Sequence, residues 1–566
     1  MRCLENSLKF LGLLGIERNR YRFRYHSQYR YKPSYQYSNS YLQAKPYSQK
    51  SEKMALHEEA VKKAAATLGR DVLSLDSLRK NSFQCIREAI GNAQVVMLGE
   101  SSHGTEEFYA FRRDLTVALV EQGGFNAVLC EGDFPPFFEL NKYIGATKRK
   151  EEDSEEKSEK SLENKGKKNV ETSEDLQAMK DLHARFPQWM WHNQPFRELI
   201  GMLKSHNAKA SVTVPTCLLG LDIYSLFRSA DEVVKYLKTA DPDLAKVAIA
   251  NYSTLNCFRD DPHEYTYCLH HGTVEPQAVQ VAQVLQEILK KQLQLENQAY
   301  NGDAFFSGAE NAHVVQAAEQ YYRKSFMGGT VTWNLRDTAM ADFVSHAIAY
   351  VERRNPGTRA RIVIWAHNSH IGDSAATEHT LRREYNLGRL LRQRFSIENT
   401  FSLGFSTDTG TVRAATSWGA PDKVMDLIPS LSGSHGDLFH KVAECTGKKN
   451  FGFFMRGNGS FSRVVSAESN KILGVPRLQR FIGVQYVKHS ERMSHYSECK
   501  INEQYDMLVH MDETSAVRRI QIDQAESAAE KNKNSLDSSY RKWDKFAEEM
   551  ESDDDEYSPN ETGPWG

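Results

Sequence analysis

Short apolar runs, each closed by a polar cluster, recur along the middle of the chain. Val95 to Leu98 is the first and is stopped by Gly99. A brief continuous run bounded by turn residues is the pattern of a buried strand. The next segment changes period: Phe108, Phe111, Leu115 and Leu119 recur at helical spacing, with Thr105 placed to cap them and Glu106 and Glu107 in the first turn. Gly123 and Gly124 end that helix, and Phe125 to Cys130 read as a second strand. Strand, helix, strand is a βαβ unit, which requires the two strands to be parallel. Two further runs of the same kind follow, Leu218 to Leu221 and Ile362 to Ala366.

Parallel strands place their carboxyl ends on one edge of a sheet, where ligands bind in α/β folds. The first run ends in Glu100-Ser-Ser-His103 and the second in Glu131-Gly-Asp133. The third ends in Asp222-Ile-Tyr224-Ser225 and the fourth in His367-Asn368-Ser369-His370. One polar ending is ordinary; four bearing the groups of acid–base chemistry indicate a cleft. Arg112 belongs with them, since positions 108, 112, 115 and 119 share or border the face that packs on the sheet. A guanidinium there needs a partner: Glu100 or Glu131 structurally, or a substrate carboxylate or oxyanion.

Glu100 and His103, three apart in a tight turn, suit a carboxylate that fixes the tautomer of a basic imidazole; a histidine merely satisfying a turn is the bland alternative. Two histidines three apart with carboxylates nearby also suit zinc or iron, although no HExxH helix is present and the pair follows a strand. The chain carries no GxSxG elbow, no GxGxxG after a strand and no GxxxxGK[ST] loop, so neither a serine nucleophile nor a nucleotide or other cofactor is expected. Trp333, Asn334, Arg336 and Asp337 open a later apolar helix and read first as a cap with an ion pair, with lining the cleft as the alternative. Ser494 and His495 lack a partner at fixed spacing and stay outside the expected site. Tyr321, Tyr322 and Arg323 read as core and cap, and Cys130 as a small buried apolar residue.

Composition changes this picture at three places. Residues 1–53 hold eleven Lys or Arg, three acids and eight tyrosines, the make-up of a disordered tail or of a transit peptide, with Met54 an alternative start. Residues 148–175 mix Lys and Glu as a solvated insertion expected to lie outside the cleft, and the stretch from about Gln521 to Gly566 reads as a disordered acidic tail. Between them, 54–147 and 176–520 are expected to form one large domain. A net charge of -2 argues against nucleic acid or a membrane surface as partner, and no apolar run is long enough to span a bilayer. Eight cysteines without a CxxC pair fit a reducing compartment, cytoplasmic, or organellar if the start is a transit peptide.

The segments LGESSHGTEEFYAFRRDLTVALVEQGGFNAVLCEGD, GLDIYSLFRSADEVVKYL, WNLRDTAMADFV, WAHNSHIGD and GFSTDTGTVRAATSWGAP follow one another over about residues 85–517. In these the chain resembles the erythromycin esterase family. The resemblance implies a cytosolic-type hydrolase of α/β class, a mixed, largely parallel sheet flanked by many helices, acting without a cofactor on a small-molecule ester or lactone such as a macrolactone. Carried over residue by residue, it implies His103 as general base, Glu100 as the acid beside it, and Arg112, Glu131, His367 and His370 as further catalytic residues. The rival readings are a metal-dependent hydrolase built on the same His/Glu cluster and a non-catalytic small-molecule-binding protein.

Overall fold

The computed structural model describes residues 47–147, 170–183, 186–298 and 302–520. The amino-terminal segment to residue 46, residues 148–169 of the insertion and the acidic end from Gln521 lie outside the described residues. The helix Tyr47–Leu68 begins within the stretch read as a tail and the helix Val170–His183 within the insertion, so residues 47–53 and 170–175 are helical.

The strands in chain order are β1 (Leu73–Ser74), β2 (Val95–Leu98), β3 (Ala127–Asp133), β4 (Cys217–Asp222), β5 (Ile362–Trp365), β6 (Thr400–Ala414), β7 (Lys423–Leu427), β8 (Asn450–Phe454), β9 (Arg477–Arg480), β10 (Tyr496–Cys499) and β11 (Met507–Thr514). Among the described residues, nine of them form one sheet in the order β1-β8-β11-β6-β2-β5-β3-β4, with β7 on the far part of β6. The run from β11 to β4 is parallel throughout, whereas β8, β1 and β7 join antiparallel. The class is therefore the mixed, largely parallel α/β sheet expected from the strand pattern. β2 and β5 are buried at every position, as parallel strands covered on both faces must be.

The βαβ unit is present with one difference in arrangement. β2 and β3 are parallel and joined by the helix Glu106–Gly123, but β5 lies between them and bonds to both. Phe108, Phe111, Leu115 and Leu119 face inward, as their spacing predicts. Thr105 occupies the N-cap position without capping through its side chain; its hydroxyl lies 2.5 Å from Ser102 Oγ instead. Glu106 accepts from Arg518 Nε at 2.9 Å and Glu107 from Ser515 Oγ at 2.6 Å, tying the helix start to the chain after β11.

A second apolar cluster sits among the helices inserted between β4 and β5. Val233 and Leu237, Val281 and Val284, and Val315 and Tyr322 are buried there together. No helix of the described residues is long and apolar enough to cross a membrane.

Candidate active site

The register brings the four strand ends level: Leu98 pairs with Trp365, and Trp365 with Cys130. Beyond them the backbones cross closely. Asn368 N–H donates to the Glu100 carbonyl at 2.8 Å, and a Cβ on Gly99 would lie 2.2 Å from Asn368 Oδ1, so only glycine lets these two segments touch. Ser101 and Ile482 then exchange contacts with the loop after β9: Ile482 N–H donates to the Ser101 carbonyl at 2.8 Å and His103 N–H to the Ile482 carbonyl at 3.2 Å.

That turn presents His103. Its Nδ1 lies 2.7 Å from Glu100 Oε1, and Arg112 Nη2 donates to Glu100 Oε2. A carboxylate on Nδ1 fixes the tautomer and leaves Nε2 for chemistry. Glu100 and Arg112 are buried, and the Arg112 guanidinium packs 4.4 Å from the Tyr109 ring centre and 4.6 Å from that of Trp365. Arg112 thus lies behind Glu100 and does not line the cavity, so the structural pairing is the arrangement present and an oxyanion contact is not.

Several guanidinium groups face the cavity, Arg228, Arg259, Arg382 and Arg519 among them, and the one in contact with Glu131 and His370 is Arg336. Its Nε and Nη2 donate to the two oxygens of Asp222 at 2.9 and 2.8 Å, and Nη2 also reaches Glu131 Oε1 at 2.8 Å. The second Glu131 oxygen accepts the His367 backbone N–H at 2.8 Å. Burial pushes the Glu131 carboxyl up, but the charges of His370 and Arg336 outweigh it and hold the group well below the usual carboxylate range.

His370 is clamped on three sides. Nδ1 lies 2.9 and 3.0 Å from the two Asp337 oxygens, and Nε2 lies 3.0 Å from Arg336 Nη1 and 3.3 Å from Glu131 Oε1. Trp333 stacks on the ring at 4.6 Å, tilted only 8°. Burial opposes protonation, yet Asp337 and Glu131 win, and the imidazole is raised to about 9. His367 shows the opposite balance. Burial, then the neighbouring His103, push it well below the ordinary value, and its ring lies 4.8 Å from that of His103. The two imidazoles are therefore pushed in opposite directions, His367 down and His370 up, the separation that acid–base chemistry uses.

His103, Glu131, His367 and His370 line one cavity of about 940 Å³, together with Asp222, Trp333 and Arg336. Its outer walls are aromatic, with Trp189, Trp191, Phe186, Trp418 and Phe481. Ser494 and His495 reach the wall too, but His495 Nε2 accepts the Val487 N–H at 3.0 Å and Ser494 Oγ donates to the Ser490 carbonyl at 2.9 Å. Both side chains hold the loop.

Trp333, Arg336 and Asp337 belong to the site, not to a simple helix cap. Asn334 behaves as a loop clamp, donating to the Arg383 carbonyl at 3.0 Å and accepting from Tyr385 N–H at 3.0 Å, and Trp333 Nε1 adds a bond to the Tyr385 carbonyl at 3.0 Å. The signal was available in the spacing: positions 333, 336, 337 and 340 share one face, and Met340 is in the core, so Arg and Asp there point inward. The imidazoles are largely engaged by protein groups: Glu100 takes His103 Nδ1, Ser369 Oγ lies 2.8 Å from His367 Nδ1, and both nitrogens of His370 are in contact.

A family model described as erythromycin esterase matches residues 120–514. The chain belongs to that family. Glu100, His103 and Arg112 stand just before the matched stretch, and the fold joins them to Glu131, His367 and His370 within it. Among solved structures, a succinoglycan biosynthesis protein matches 82% of this chain and 99% of its own at 19% identity and a TM-score of 0.61. A Bacillus cereus protein matches 81% and 99% at 15% identity and 0.60. A mutant of erythromycin esterase EreC in its open conformation matches 78% and 95% at 16% identity and 0.51. At these identities the likeness is one of fold.

Proposed function

We propose that the protein is a carboxylic ester hydrolase that opens an ester or lactone with water activated by His103. The observation that carries the reading is the His103–Glu100 pair at 2.7 Å, set at the wall of a cavity that Arg336 and the raised imidazole of His370 also line. His103 Nε2 takes a proton from water as the oxygen attacks the carbonyl carbon. Glu100 steadies the imidazolium that forms. The oxyanion develops in the field of Arg336, which is already oriented by Glu131 and Asp222 and needs no rearrangement when charge appears. Collapse breaks the ester C–O bond, and protonated His370 gives its proton to the departing alkoxide. The products are an alcohol and a carboxylic acid that loses its proton to solvent as the carboxylate, while His103 releases its proton and His370 regains one through solvent. A general base of this kind contributes about 10² to 10⁴-fold.

The test is a panel of macrolactones, simple esters and amides at neutral pH, with His103→Gln as control. Turnover of an ester or lactone that falls at least 100-fold in the variant, with an unchanged melting curve, supports the reading. Turnover that persists in the variant rejects the base. Turnover abolished by exhaustive chelation and restored by a divalent ion replaces the mechanism with metal-assisted hydrolysis, and ligand binding without turnover makes the protein a binder.

A further inference from the structure

Two long helices form an antiparallel hairpin beside the sheet, Asp303–Lys324 and Gly329–Arg354, joined by a single short turn. On the facing sides of this hairpin, away from the cavity, stand Glu310, His313 and His346. Glu310 and His313 are one turn apart on the first helix, so both side chains leave from one face. His346 comes from the second. One ligand-type atom of each lies within 4.8 Å of the other two.

Glu310 is 3% exposed, and only one of its oxygens is engaged: Oε2 lies 2.9 Å from His346 Nδ1, while Oε1 is buried without a hydrogen-bond partner. A buried carboxylate oxygen left unpaired is costly, and native folds rarely keep one without an occupant for it. The rings of His313 and His346 lie 4.4 Å apart, too close for both to be cationic without repulsion. Both histidines remain partly open to solvent, so an ion has a way in and a water can complete its shell. Asp342, one turn before His346, is held by Arg394 at 2.8 Å and supplies outer negative charge.

We propose that Glu310, His313 and His346 bind a zinc-class dication that bridges the two helices. Two imidazoles and one carboxylate are a set such ions take, with bonds of about 2.0–2.2 Å and open positions for water. Each ligand comes from one of the two helices, and the three ligand atoms already lie within 4.8 Å of one another. Bound there, the ion occupies the free Glu310 oxygen and fastens the hairpin whose second helix carries Trp333, Arg336 and Asp337. Its role is to hold that helix; none of its ligands lines the cavity.

The test uses the full chain, stripped with chelator and titrated with Zn²⁺ and with Co²⁺. One equivalent of tightly bound Zn²⁺ is expected, with a visible ligand-field band for Co²⁺ and a melting temperature that rises on adding Zn²⁺. His313→Gln with His346→Gln, or Glu310→Gln alone if the double variant folds poorly, lowers affinity at least tenfold and removes the Co²⁺ band. His440→Gln is the control, since Asp408, His440 and Asp512 form another cluster able to hold an ion. No stoichiometric binding overturns the proposal. So does binding that survives both hairpin variants, or that disappears in the His440 variant.

Discussion

Asp337 presents both carboxylate oxygens to His370 Nδ1, at 2.9 and 3.0 Å, from a position with no exposed surface. One of those oxygens also accepts the Leu387 N–H at 2.7 Å, so the carboxylate cannot turn away. Asp337→Asn removes the larger of the two carboxylate influences that raise His370 and brings the imidazole down from about 9 toward its ordinary value. The alkaline fall in kcat should move to lower pH. A pH–rate profile on the best ester checks it, and an unmoved alkaline limb removes His370 from the role of acid.

The same shift makes stability depend on pH. The folded-state value of His370 is about 9, above the ordinary value of about 6.5 in the unfolded chain. Its stabilising contribution is therefore complete below about pH 6.5 and is lost as pH rises through about 9. Its upper bound is about 3 kcal/mol, from 1.36 kcal/mol per unit. Urea unfolding near pH 6 and near pH 9.5 should show the loss, and His370→Gln should flatten it.

Arg112 and Glu100 are both fully enclosed, so removing one partner strands the other. Arg112→Met should cost about 3–5 kcal/mol in urea unfolding. A loss of activity at unchanged stability would instead place the guanidinium on the substrate.

Arg336 holds Asp222 and Glu131 at once through a planar fork, a geometry one ammonium cannot reproduce. Arg336→Lys should keep the charge and lower kcat about 10² to 10³-fold, the range seen when a preorganised oxyanion donor is lost. Comparable kcat in the lysine variant would show that charge alone suffices.

The charged insertion is predicted to be dispensable, provided the deletion stops before Val170. Tyr143 OH donates to Asp175 at 2.6 Å, and Asp181 and Leu182 of the same helix line the cavity. Removing residues 148–169 should leave turnover and melting temperature nearly unchanged, because loop length changes closure entropy slowly. A folded but inactive deletion would make the segment part of the catalytic apparatus.

Much of the site was legible because its chemistry hangs on strand ends. An apolar run reveals a buried strand, and in a parallel sheet every such run delivers its next residues to one edge, so Glu100, His103, Glu131, His367 and His370 could be grouped without coordinates. Arg112 was legible as buried but not as to its partner. Helical spacing gives a direction, whereas distance to Glu100 depends on how the helix sits on the sheet.

Arg336 and Asp337 were not grouped with the strand ends because a helix has no edge at which to look. Their face was readable from Met340, but nothing local says that this face turns toward β3 and β4. What the sequence by itself determined was four buried strands, the helix after the first, the parallel sense of β2 and β3, and the residues at the strand ends, all set by backbone sterics and apolar periodicity over a few residues. Tertiary structure alone decided that β5 slips between β2 and β3, that Arg336 comes to touch Glu131, Asp222 and His370 at once, and that His370 is pushed up while His367 is pushed down. Those outcomes depend on burial and on charges brought together from distant parts of the chain, and such fields exist only once the sheet has closed around them.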